Sequence, residues 1–119
     1  MHAFIIEDDY LIAQSLRDML EPLGFTTFSF ARSEDAAVFG ASANDIHLIT
    51  ADVRLLPGNG VEAVDAICAK RRIPVIFVTG YASELQDWAP DATVVQKPVD
   101  AAKLAAAVHE VLSAGASAS

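Results

Sequence analysis

The chain has little positive charge, one cysteine and no long apolar run, and each shortage removes a class of function. Eight Lys and Arg stand against sixteen Asp and Glu, for a net charge of -8. The field of the whole chain therefore repels nucleic acid and anionic lipid. The basic cluster Lys70-Arg71-Arg72 suits a helix C-terminus, where cations offset the dipole. Cys68 is alone, cannot close an intrachain disulfide, and reads as a small core residue in a reduced compartment. No stretch approaches the ~18 apolar residues of a membrane span. The first residues lack the basic region and apolar segment of a signal peptide, so the cytoplasm is the expected compartment. His2, His47 and His109 are too scattered for a zinc or iron site.

What is present is a globular balance. The 119 residues are 53% hydrophobic and 20% charged, enough for one domain with one real core. Residues 1–114 are expected to be the folded unit. Residues 115–119, made of Gly, Ala and Ser, read as a flexible tail or the start of a linker. No internal repeat is visible.

Five short apolar runs alternate with five amphipathic stretches. The runs are Ala3 to Ile6, Phe25 to Phe28, Leu48 to Ala51, Val75 to Val78 and Thr93 to Val95. Brief, β-branched or aromatic, and mostly continuous, they suit strands buried on both faces. Ile12, Leu16, Met19, Leu20 and Leu23 recur at helical spacing, and Gly24 stops that helix. Ser33 begins a helix through Ala37. Val61, Val64 and Ile67 mark a third, ended before Pro74. Ala82 to Trp88 leaves room for about two turns before Pro90. Asp100 caps a last helix carrying Leu104, Val108, Val111 and Leu112. Strict β/α alternation predicts an α/β, flavodoxin-like (βα)5 fold: a doubly wound five-stranded parallel sheet with right-handed crossovers. Phe28-Ser29-Phe30 offers no chemistry, which makes the second strand a natural edge and the order 2-1-3-4-5.

Chemistry-bearing residues fall at the downstream ends of the other four runs. Glu7-Asp8-Asp9 follows the first, Asp52 the third, Thr79 the fourth and Lys97-Pro98 the fifth. In parallel sheets these ends share one edge, and ligands bind there at the point where strand order reverses. Three carboxylates within about 5 Å repel by ~3 kcal/mol per pair at an effective dielectric of 20. Only Lys97 offsets that, so a divalent cation is wanted, and oxygen ligands without His or Cys favour magnesium or manganese. A carboxylate can also be a nucleophile that forms an aspartyl-phosphate. Asp52, alone at its strand end and followed by a Gly- and Pro-rich turn, is the best candidate.

Over its whole length the chain resembles a response-regulator receiver domain of the chemotaxis-receiver kind. The resemblance implies that Glu7-Asp8 binds Mg2+ together with Asp52 and the backbone carbonyl of Arg54. It implies that Asp52 is the phosphoacceptor, Thr79 the switch hydroxyl and Lys97 the partner of the acyl phosphate, with a cis bond at Lys97-Pro98. A histidine kinase or histidine phosphotransfer protein would donate, docking over Tyr10, Leu11, Gln14 and Pro98. Output would pass to an unidentified downstream protein; a homodimer is an open alternative. Three features depart from the family pattern. Pro57 lies five residues after Asp52 rather than four. Val94 stands where an aromatic switch residue is usual. The stretch from Thr79 to Lys97 is short. Val94 is stiff at χ1, so Tyr81 is the nearest aromatic able to report the movement of Thr79, its loop freed by Gly80. Phe77-Val78-Thr79-Gly80-Tyr81 loosely resembles single-domain receivers with a Phe-Ala-Thr-Gly motif.

Taken singly, each motif has a plainer reading: a solvated helix start, a turn-capping Asp, a strand exit, a surface turn. Their coincidence at four strand ends favours the switch. Two other functions remain open at this level. One is a pseudo-receiver that binds without being phosphorylated. The other is a small magnesium-dependent aspartyl phosphatase, against which Arg54 occupies the position where a leaving-group acid is needed.

Overall fold

The computed structural model describes residues 1–118, except 43, 44, 56, 57, 84, 86–88 and 90. The strands β1 (His2–Ile6), β2 (Thr27–Ala31), β3 (Leu48–Ala51), β4 (Val75–Thr79) and β5 (Val94–Gln96) form one sheet. Its order is β2-β1-β3-β4-β5, and every pairing is parallel. Among the described residues, helices α1 (Tyr10–Leu20), α2 (Glu34–Ala41), α3 (Gly60–Cys68) and α4 (Ala101–Ala118) complete the wound α/β architecture.

Two cores follow from the alternation of side chains across the sheet. Phe4, Ile6, Ile49, Ala51 and Phe77 pack on the face covered by α2 and α3. Ala3, Ile5, Leu48, Ile76 and Val78 pack on the other, against Leu16 and Leu20 of α1 and Leu104 and Val108 of α4. Asp9 caps α1 by accepting from the N–H groups of Leu11 and Ile12. Asp100 does the same for Ala102 and Lys103 at the start of α4. Ser33 caps α2, accepting from Ala36 N–H, and that helix continues past the expected Ala37 to Ala41.

The second strand corrects the sequence reading. Pairing begins at Thr27, opposite His2, and runs to Ala31, not from Phe25 to Phe28. After α1 the chain tightens into a 3-10 turn at Glu21–Leu23, and Gly24 turns with φ 105°. Phe25 is fully buried on the α1 and α4 side before the strand starts, so its burial belongs to a loop anchor. Hydrophobicity alone made that anchor look like the strand. The strand's own edge position shows in the hydroxyls of Thr27 and Ser29, each 2.8 Å from a ring nitrogen of His2.

Between β4 and β5, Leu85 is fully buried. Its N–H donates to Tyr81 O at 3.2 Å and its carbonyl accepts from Ala89 N–H at 2.7 Å. These are helical bonds where a short helix was expected; Trp88 and Pro90 lie outside the described residues, as does the loop proline Pro57.

Candidate phosphoryl-acceptor and metal site

The ends of the strand ladders place the chemistry. Glu7 N–H donates to Ala31 O, Asp52 N–H to Ile6 O and Lys97 N–H to Thr79 O, each at 2.9 Å. Four segments distant in sequence therefore end at one edge of the sheet. Gly60 sits where an added Cβ would lie 1.7 Å from the Asp52 carbonyl oxygen, so only glycine lets α3 start this close to Asp52.

Within the site, Lys97 Nζ donates to Glu7 Oε1 at 2.6 Å and to Asp52 Oδ2 at 3.0 Å. Asp52 is 8% exposed and Glu7 3%. The other Asp52 oxygen accepts Arg54 N–H at 3.3 Å. Asp8, Asp52, Arg54, Gly80, Tyr81 and Lys97 line an open cleft of about 570 Å³. Burial pushes the Glu7 carboxyl up to about 8, reinforced by Asp52 and opposed by Lys97. Burial by itself would lower Lys97, but its bonds to Glu7 and Asp52 hold it above its ordinary value. Lys97 thus stays charged. Glu7 is the most buried of the three acids, and burial disfavours its charged form.

Oxygen atoms of Glu7, Asp8 and Asp52 all lie within 4.8 Å of one another. Glu7 Oε2 is buried with no hydrogen-bond partner among the described residues. An orphaned carboxylate oxygen beside two more carboxylates, with no nitrogen or sulfur donor, fits a hard divalent cation such as magnesium or manganese.

Thr79 is fully buried, and its Oγ1 accepts Tyr81 N–H at 3.0 Å. Tyr81 is half exposed, and the Arg54 guanidinium lies 3.7 Å from its ring centroid. Val94 pairs with Phe77 and packs against the α2 and α3 core, away from the cleft. Lys97-Pro98 is cis. Leu11 and Pro98 line, with Ile12, Met19 and Val99, a groove of about 290 Å³ that adjoins the cleft at Lys97, which lines both. Tyr10 is exposed beside it, whereas Gln14 is half-buried and is not among the lining residues.

Two residues escaped the sequence reading. Gln96 Nε2 donates to Gly80 O at 3.0 Å, and its Oε1 accepts Ala82 N–H at 3.3 Å. It ties down the loop that Gly80 was expected to free, and Gly80 itself has no positive φ. A polar residue breaking an apolar run just before Lys97 was the available signal. Glu34 Oε1 accepts Asn59 N–H at 3.0 Å. Its partner lies far along the chain, and beside Ser33 it looks like an ordinary first-turn acid.

The response regulator receiver domain family model matches residues 3–109. The chain is 36% identical over 112 residues to the phyllosphere-induced regulator PhyR of Methylorubrum extorquens, covering 91% of this chain and 42% of that protein. It is 28% identical to the transcriptional regulatory protein PdtaR of Mycobacterium tuberculosis, covering 92% of this chain and 55% of that one. The chain thus spans about half the length of these curated relatives. Among solved structures, PhyR from Brucella abortus superposes with a TM-score of 0.91 at 29% identity, over 98% of this chain and 49% of that one. The anti-anti-sigma factor PhyR from Bartonella quintana gives 0.88 at 32%, over 98% and 49%.

Proposed function

The chain belongs to the response-regulator receiver family, and from that premise we propose that it is a phosphorylation-controlled switch whose acceptor is Asp52. The observation that carries this reading is the double contact of Lys97 Nζ with Glu7 and Asp52. An ammonium held on the acceptor carboxylate is set to follow the charge that a phosphoryl group brings.

In this reading an Asp52 carboxylate oxygen attacks the phosphorus of a phosphohistidine. The P–N bond breaks, an acyl P–O bond forms, and the imidazole leaves and takes a proton. Lys97 moves from the carboxylates to a phosphoryl oxygen. Glu7, Asp8, Asp52 and the Arg54 carbonyl would hold magnesium, which when bound offsets the negative charge of the transferring group. Thr79 gives up its bond from Tyr81 N–H and donates its hydroxyl to the phosphoryl group. That exchange frees the Gly80 to Tyr81 backbone and, through Tyr81, carries the signal to the surface. The added ~1.5 to 2 negative charges supply the drive.

The groove of Leu11 and Pro98, beside exposed Tyr10, is the docking place for the donor, either a histidine kinase or a phosphotransfer protein. Output is binding to another protein; the Bartonella relative is an anti-anti-sigma factor, a role defined by contacts between proteins. Turnover of phosphate esters is not part of this function, because Arg54 cannot protonate a leaving group.

Incubation with acetyl phosphate, followed by intact mass, tests the reading. A labile gain of one phosphoryl group that needs magnesium and is lost in Asp52→Asn is expected. No adduct in the parent chain would leave a binding module of the same fold, and steady ester turnover would make it an enzyme.

A further inference from the structure

A second apolar surface lies at the opposite end of the molecule. Helices that follow parallel strands start near the Asp52 edge, so α2 and α3 end far from it. There Val38, Ala41, Ala66 and Ile67, with Ser42, line a groove of about 320 Å³. That volume is at the low end for ligand pockets and takes large side chains rather than a cofactor. Phe39 stands one residue from Val38 and is 84% exposed, more than any other large apolar residue among those described. Its helix turns Ala37 and Ala41 into the core and leaves Val38 and Phe39 facing outward with no covering element among the described residues.

The same end carries the cations. Lys70 and Arg71 line the groove, and Arg71 also donates to the Ala41 carbonyl, which fixes the C-terminal ends of the two helices side by side. Lys70 and Arg72 are exposed and have no ion pair among the described residues. In a chain of net charge -8, three consecutive cations, two of them lining this groove, are a local reversal of sign.

We propose that the α2–α3 groove binds an acidic amphipathic segment of a partner protein, its apolar side chains against Val38 and Phe39 and its carboxylates on Lys70 and Arg72. Charge complementarity selects this occupant. A second copy of the chain is disfavoured, because two-fold pairing would set two basic grooves in one interface, and among the described residues the groove lining contains no acid to answer them. Apolar anchoring with a charged rim is how grooves take amphipathic helices. The surface does not overlap the Asp52 cleft or the Leu11 groove, so the inference stands apart from the phosphoryl-transfer reading.

The probe is a short peptide with Leu at helical spacing and Glu at the remaining positions, followed by amide NMR at physiological salt. A control peptide carries Lys in place of Glu. Shift changes centred on Val38, Phe39, Ser42 and Lys70 are expected, with affinity falling about ten-fold in Phe39→Ala and again in the pair Lys70→Glu, Arg72→Glu. Both sites are exposed, so the variants keep the parent's spectrum elsewhere. Equal binding of the Lys peptide, changes confined to the Leu11 groove, or no changes at all would overturn the proposal. So would self-association of the free chain that Phe39→Ala abolishes, since the occupant would then be a second copy.

Discussion

The Arg54 guanidinium stacks on the Tyr81 ring, 3.7 Å from its centroid, and the pair spans the cleft that holds Asp52. One residue follows the Asp52 strand and the other follows the Thr79 strand, so the contact ties together the two loops that the proposed phosphorylation would rearrange. A stack of this kind contributes ~0.5–1 kcal/mol where exposed.

Under the proposed function, that stack would flank the approach of water to an acyl phosphate at Asp52. Arg54→Ala and Tyr81→Ala should each shorten the phosphoryl lifetime, by about five-fold if ~1 kcal/mol of shielding is lost. Decay of the adduct after removal of acetyl phosphate measures this. An unchanged lifetime in both variants would mean the pair only packs.

Asp8→Asn removes one of three crowded carboxylates. Without divalent cation the variant should melt higher than the parent, because like-charge repulsion is relieved. With magnesium its gain in melting temperature should shrink, since one oxygen ligand has lost its charge. A full magnesium-dependent shift in the variant would remove Asp8 from the ligand set.

Glu34 acts at one remove. Asn59 N–H rests on its carboxylate, Asn59 bridges to Arg54, and Gly58, at φ 108°, lies so close that an added Cβ would come within 2.5 Å of Glu34 Cβ. The loop carrying Arg54 is thereby held from α2. Glu34→Ala should weaken magnesium affinity several-fold, by the ~1 kcal/mol of one hydrogen bond. Glu34→Gln, which keeps an acceptor oxygen, should restore it. Calorimetric titration with magnesium separates this from a loss of fold stability, which melting without metal reports.

His2 bridges β1 to β2 through both ring nitrogens. Burial, then the nearby His47 and N-terminal ammonium, hold its pKa below the ordinary 6.5. The unfolded chain therefore takes up the proton first as pH falls. The stabilisation is complete above the unfolded pKa and is lost as pH drops through the folded one. The urea midpoint of the parent, minus that of His2→Gln, should shrink between about pH 7.5 and about pH 5. A constant difference would contradict this.

Much of the architecture was legible because it rests on pattern. Strands such as Leu48–Ala51 are continuous apolar runs, caps such as Asp9 and Asp100 act within three residues, and the chemistry sits at run ends that parallel topology brings together. The β2 shift was not legible, because a buried loop anchor such as Phe25 and a strand residue look alike in hydrophobicity. Glu34 and Gln96 were missed for a different reason. Their roles are hydrogen bonds to backbone groups 25 and 16 residues away, and nothing in the local sequence announces a distant partner. Residues that perform chemistry cluster by type, whereas those that position them are ordinary side chains in particular places.

Borohydride reduction of the acetyl-phosphate-treated chain, followed by peptide mass mapping, tests the central claim most directly. Reduction of an aspartyl phosphate turns that aspartate into homoserine and marks it permanently. The account predicts homoserine at position 52 alone, dependent on magnesium. Homoserine at Asp8 or Asp9 instead, or none at any position after full treatment, would contradict it.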